Sequence, residues 1–289
     1  MIDGEFELDG VRWGGRRSAA LLVEDFTPEG AEIENQDAQR PGGHGLLAGR
    51  DMLGGASWSW DVSTNHRDGQ AALAEARALA AVWRSYVNDP HRLAVLRHKA
   101  GGEVRRVYGR PRRFAPPRWD ILTVQGRGRI VMDFQLTDPL IYDDTPSVLE
   151  LALTGTSGEG VRWPVTFPFV WGSAPGRRDG EVIVGGRADV PFTLTFHGPS
   201  SGTASAFWAQ GPGWRVDLST TLAWDQSATV DTRTSTVTRS DGRSLAGDAR
   251  GRFLTARLQP GAQEIAWGAT DPTNTASMTL THHAGYHSL

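Results

Sequence analysis

The sequence predicts a mainly β protein in two parts: an α+β domain over residues 1–140 with one helix, and a β-sandwich or jelly roll over residues 141–289. Three observations predict it. A joint at Leu136-Thr-Asp-Pro-Leu-Ile-Tyr-Asp-Asp-Thr-Pro146 interrupts the chain near its midpoint, and Pro139 and Pro146 each fix φ and lack an N–H, so no strand runs through both. Before the joint lies the one segment with helical periodicity; after it come many short β-prone runs divided by turns. At 289 residues the chain accommodates two domains of ordinary size, each able to bury a core.

Taken in order, Phe6–Trp13 and Arg17–Val23 read as two strands joined at Gly14-Gly15. Residues 28–56 are rich in Gly and Pro and read as a long, partly ordered loop, of the kind that is usually functional or flexible. Trp58-Ser-Trp60-Asp-Val alternates as a strand. The helix is expected from Asp68, its N-cap, to Asn88, with Leu73, Ala76, Ala80, Trp83 and Val87 at helical spacing and Leu79, Val82 and Tyr86 widening the stripe. So broad an apolar face needs a sheet to cover it. Strands are then expected at His91–His98, Glu103–Phe114 and Ile121–Leu136, the last interrupted at Gly126-Arg-Gly128. Beyond Pro146 they are expected at Val148–Leu153, Trp163–Trp171, Glu181–Val184, Phe192–Phe196, Ala204–Ala209, Trp214–Leu222, Thr229–Val237, Phe253–Leu258, Glu264–Trp267 and Ser277–Thr281. Ser240-Asp-Gly242 and Gln259-Pro-Gly261 supply turns.

Composition narrows the function. No apolar run approaches the roughly 18 residues that cross a bilayer, so no membrane partner is expected. The acidic opening Met-Ile-Asp-Gly-Glu does not read as a signal peptide. With no cysteine there are no disulfides or thiolate sites. A net charge of −3 argues against a general nucleic-acid binder. The distribution is uneven: residues 1–37 hold ten carboxylates against three arginines, and residues 92–129 hold ten arginines and Lys99 against Glu103 and Asp120. Such segments either pair across strands of one sheet or meet between copies of the chain.

No catalytic constellation stands out. His282, His283 and His287 are the most metal-like group but lack a regular ligand spacing and read better as a polar terminus. Asp217, Asp225 and Asp231 are the nearest approach to a glycosidase pair; Asp217 and Asp225 would share a face only on one long strand. Ser200, Ser201 and Ser205 near His197 lack a nucleophile elbow, and Gly42-Gly-His-Gly45 and Gly185-Gly186 lack the lysine of a phosphate loop. No enzyme and no cofactor are expected. Trp208 and Trp214 are the candidate glycan contacts of a carbohydrate-binding alternative, although large aromatics in β domains more often fill the core.

The first half resembles the N-terminal domain of siphophage distal tail proteins, in its short opening strands, the Gly-rich loop ending at Gly49-Arg50-Asp-Met, the Trp-rich strand, the single helix and Val107-Tyr-Gly-Arg-Pro-Arg-Arg113 ahead of Asp138-Pro-Leu-Ile-Tyr142. The second half resembles that family's galectin-like sandwich, through Trp163-Pro-Val-Thr-Phe-Pro-Phe169, Gly180-Glu-Val-Ile-Val-Gly-Gly-Arg-Ala-Asp-Val-Pro-Phe192, Phe196-His-Gly-Pro199 and Val230-Asp-Thr-Arg-Thr-Ser-Thr-Val237. Where the family usually has an Asn-Xaa-Gly turn, this chain has Val184-Gly-Gly-Arg187. The resemblance implies a tail-tube-like N-terminal β-sandwich with one helix that forms a homohexameric ring at the end of a non-contractile tail tube. It implies a virion protein, made in the host cytoplasm, whose partners are tube, tape-measure, hub and receptor-binding proteins, with DNA only in transit. The charge segments then nominate Glu29, Glu32, Glu34 and Asp37 on one side of a subunit interface and Arg105, Arg106, Arg110, Arg112 and Arg113 on the other.

Overall fold

A computed structural model describes residues 1–15, 19–89, 92–153 and 176–288, which divide into two units: Met1–Asp144 with Tyr286–Leu289, and Thr145–Gly285. The protein is mainly β, as the sequence predicts. The strand expected at Trp163–Trp171, with its Trp163–Phe169 motif, lies outside the described residues.

In the first unit the opening apolar stretch is a hairpin rather than one strand. Strands β1 (Glu5–Leu8) and β2 (Val11–Gly14) pair through a turn at Asp9-Gly10, where φ is 46° and 83°. Two positive φ values match the twist of the flanking strands, and Asp-Gly is the residue pair that reaches them most cheaply. The chain continues through β3 (Leu21–Pro28), four two-residue strands β4–β7 (Ile33–Glu34, Ala38–Gln39, Leu46–Leu47, Met52–Leu53) and β8 (Ala56–Thr64). After helix α1 (Gly69–Arg84) come β9 (Ala94–Ala100), β10 (Glu103–Ala115), a one-turn helix α2 (Ile121–Val124), β11 (Arg129–Leu136) and β12 (Ile141–Asp143). The main sheet runs β2-β1-β9-β10-β11-β8-β3, with β12 on β10.

Strand β8 alternates without a break, burying Ala56, Trp58, Trp60, Val62 and Thr64. The aromatic core grows from it: Trp60 meets Phe6, Phe26, Trp13 and Trp83 with ring centroids 5.3–6.3 Å apart. Helix α1 begins where Asp68 accepts the Ala71 N–H at 2.9 Å. It buries Gly69, Ala72, Ala76, Leu79 and Trp83 at helical spacing. Gly69 is required because a Cβ there would lie 2.8 Å from the Thr123 carbonyl. The helix stops at Arg84 rather than Asn88, so Val87 falls beyond the last turn and is exposed.

The expectation of a single helix, and of a strand starting at Ile121, is corrected by α2. Asp120 accepts the Thr123 N–H at 2.8 Å and so caps a helical turn; the strand waits until Arg129, past the left-handed Gly126.

The second unit contains two five-stranded sheets. One runs β13 (Ser147–Ala152), β22 (Ser277–His282), β15 (Phe192–His197), β18 (Ser227–Asp231), β19 (Thr236–Arg239). The other runs β14 (Gly176–Val184), β21 (Gly261–Thr270), β16 (Thr203–Gly211), β17 (Trp214–Ala223), β20 (Ala249–Arg252). Phe196 of the first sheet packs on Phe207 and Trp267 of the second, and Phe192 on Trp214, which makes the unit a β-sandwich. Two expected strands differ. Thr229–Val237 is two strands, because Asp231 accepts the Arg233 N–H and turns the chain before Thr236. Phe253–Leu258 follows strand β20 instead of forming one. The final strand, β23 (Gly285–Tyr286), leads into residues of the first unit.

Candidate assembly interface

The two charged segments of the first unit divide their work. Part of them pairs within the sheet. Register places Arg12 opposite Glu7, Glu7 opposite Arg97, and Arg97 opposite Arg106 across β2, β1, β9 and β10. Glu7 accepts from Arg12 at 2.7 Å and from Arg97 at 3.3 Å, and Asp144 accepts from Arg97 at 2.9 Å and Arg106 at 2.6 Å. Burial by itself would raise the Asp144 carboxyl, but the hydrogen bonds from Arg106 and Arg97 outweigh it and hold the group below its usual range. Arg105 donates to Glu103 and Asp143, and its guanidinium lies 4.1 Å from the ring centroid of Tyr286. Arg105 and Arg106, expected at a subunit interface, thus have partners inside the chain.

The far end of β10 is different. A β-bulge between Pro111 and Phe114 shifts the register against β11, and the two residues inside it, Arg112 and Arg113, are exposed. Arg110 is half-buried and reaches the Asp89 carbonyl at 3.4 Å. A bulge re-aims side chains away from the ladder. Here it turns two guanidinium groups outward.

The four nominated carboxylates stand together on an arm. Residues 28–56 are not an irregular loop: Ile33 pairs with Leu53, Glu34 with Met52, Ala38 with Leu47 and Gln39 with Leu46, so the segment continues the β3–β8 hairpin as a two-stranded ribbon. Glu29, Glu32, Glu34 and Asp37 lie along its outgoing limb and all are exposed. Asp37 accepts the Gly49 N–H at 2.8 Å and ties the limbs together. Five large apolar side chains, Ile33, Leu46, Leu47, Met52 and Leu53, are exposed on the same ribbon, Ile33 at 66%. Sequence reading missed them because exposure is not a local property. The available signal was Leu46-Leu47 and Met52-Leu53, apolar pairs inside an otherwise polar, Gly-rich stretch.

In the second unit, Trp214 is buried against Phe192 and has no face for a glycan. Trp208 is half-buried, and the Arg215 guanidinium lies 5.2 Å from its ring centroid, itself held by Asp217 at 2.6 Å. Asp217 is therefore an ion-pair partner. Asp225 lies beyond the end of β17, so the long shared strand that a carboxylate pair would need is not formed. The tail expected as a loose polar terminus is ordered: His282 ends β22 fully buried, and the Tyr286 hydroxyl donates to Asp143 at 3.3 Å. His287 belongs to the other unit.

No protein-family model and no curated protein matches this sequence. Solved structures do match its fold. A crystal structure of the Dit (gp 19.1) protein of phage SPP1, described as a hub of the adsorption apparatus in phages infecting Gram-positive hosts, aligns with a TM-score of 0.55 at 13% identity, over 97% of this chain and 98% of that one. Chains of the phage P2 baseplate in its activated conformation align comparably: with Ca, TM-score 0.55 at 12% identity, and with Sr, 0.57 at 9%, each over 96% of this chain and 97% of the other. The chain has the fold of these tail-hub and baseplate proteins. Since the likeness spans both units, it includes the order in which the helix-bearing sheet precedes the sandwich.

Proposed function

We propose that this protein is a structural component of a phage tail tip. Copies of its first unit close head to tail into a homohexameric ring at the distal end of a non-contractile tail tube, and its second unit is presented to neighbouring tail-tip proteins. The observation that carries the reading is the arm: a ribbon of about two dozen residues that leaves the sheet and exposes five large apolar side chains beside four carboxylates. Exposed apolar surface of this kind marks a site of association. The fold likeness to hub and baseplate proteins supplies the setting.

On this reading the protein is not an enzyme and acts by assembly within the virion. The ring sits between tube and tape-measure proteins on one side and hub or receptor-binding proteins on the other, and DNA only passes through. Formal charges over residues 1–140 cancel, which suits a lumen that neither holds nor repels DNA strongly. The two residues nominated for the carbohydrate-binding alternative do not favour it, with Trp214 in the core and Trp208 beneath Arg215.

Replacing residues 31–54 by a short Asn-Gly turn tests the arm. The shortened protein is expected to keep its fold by circular dichroism and to lose assembly in native mass spectrometry. A shortened protein that assembles like the full chain would overturn the reading.

A further inference from the structure

We infer that the arm of one copy docks on helix α2 and its basic rim on a second copy of the chain. The inference rests on the ring reading and names the surface that receives the arm. Helix α2 is inside out for a free surface. Its polar residue, Thr123, is 1% exposed, whereas Ile121 is 69% exposed and Leu122, Val124 and the adjacent Trp119 (73%) also face solvent.

Looseness does not explain this. Thr123 donates its hydroxyl to the Arg118 carbonyl at 2.6 Å and its N–H goes to Asp120. Thr64, buried at the end of β8, donates to the Gly126 carbonyl at 2.9 Å and accepts the Gly128 N–H at 2.7 Å. The backbone is pinned on both sides while the apolar side chains are held outward. A patch of this size on a fixed scaffold needs a partner.

The chemistry of that partner is written on the same chain. In the stretch that carries α2, residues 112–128, Arg112, Arg113, Arg118 and Arg127 are exposed and Asp120 is the one carboxylate, a net charge of +3 over the stretch. The arm, residues 29–55, carries five carboxylates and two arginines, a local net charge of −3, around its own apolar side chains. Apolar centre meets apolar centre, and the rims are opposite in sign. The arm joins β8 at its Ala56 end, and the α2 loop is tied to the Thr64 end. Complementary surfaces at opposite ends of one strand make a heterologous contact, the type that closes rings.

The chain has no cysteine, so placed thiols report cleanly. Full-length Leu46→Cys and Leu122→Cys, both at exposed positions, are mixed and treated with a short bis-maleimide. A covalent dimer is expected in the mixture, with only background in either variant alone. Leu122→Glu is expected to leave the unfolding midpoint unchanged and abolish assembly. No mixture-specific dimer, or Leu122→Glu protein that assembles normally, while the unmodified protein still assembles, would overturn the arm–α2 contact and leave the ring intact. A dimer formed by Leu46→Cys alone would replace it with an isologous contact between arms. Unmodified protein that stays monomeric would overturn both readings.

Discussion

His98 is the residue whose placement has the plainest consequence in solution. It is 3% exposed on β9, packed against Phe6 and Trp58, and neither ring nitrogen has a partner among the described residues. Burial first, and then the nearby Arg105 charge, lower it from 6.5 to about 4. The unfolded chain therefore takes up a proton near pH 6.5 that the folded chain refuses until about pH 4. Stability that is fully present above pH 6.5 drains away as the pH falls through this window, by up to about 3 kcal/mol at 1.4 kcal/mol per unit. Denaturant unfolding at pH 7 and pH 4.5 should show the loss, and His98→Leu should flatten it; equal pH dependence in the two proteins would refute the assignment. Asp144, between Arg97 and Arg106, has the same sense for a different reason, since here the charged form is the one stabilised. Its carboxyl is held below its usual range, so its contribution is present above that range and is lost on acidification through it. Asp144→Asn keeps an acceptor oxygen but removes the carboxylate charge that Arg97 and Arg106 share, and should cost about 1–3 kcal/mol, read by the shift in unfolding midpoint at neutral pH.

At the level of elements, α1 ranks its own residues. Trp83 is fully buried and meets Trp13, Trp60, Phe114 and Phe134, so Trp83→Ala should cost about 3–5 kcal/mol. Asp68→Ala removes only the cap and should cost about 1 kcal/mol. Thermal unfolding of the two variants checks the order; a cap loss exceeding the tryptophan loss would contradict the packing described here. These elements also show what sequence reveals. Strand β8 and helix α1 were legible because each repeats one burial period over many residues, Trp58-Ser-Trp60 for the strand and Ala72, Ala76, Leu79, Trp83 for the helix. The arm was not, since a ribbon exposed on both faces has no burial period to read. Helix α2 was hidden for the reverse reason: Ile121, Leu122 and Val124 favour a strand by composition, and only the Asp120 cap argues for a helical turn. Asp143 and Asp144, which pair with Arg105 and Arg106, lie 38 residues on, beyond the reach of any local pattern.

Across the whole molecule, the charge segments that first suggested contact between copies turn out to serve two ends. The half near β1, β9 and β12 is consumed in the ladder from Arg12 to Asp144, and the remainder, on the arm and in the stretch that carries α2, is exposed at the surface. Assembly through the exposed remainder should weaken moderately between low and physiological salt, because rim charges steer encounter while apolar burial supplies most of the affinity. Sedimentation across a salt series checks this; complete dissociation by modest salt would mean that charge, not the Ile33, Leu46 and Leu122 surfaces, holds the copies together. The most direct test of the central claim is native mass spectrometry of the purified full-length protein over a range of concentrations. A closed hexamer as the dominant assembled species is predicted, and a protein found only as monomers or two-fold dimers at every concentration would contradict it.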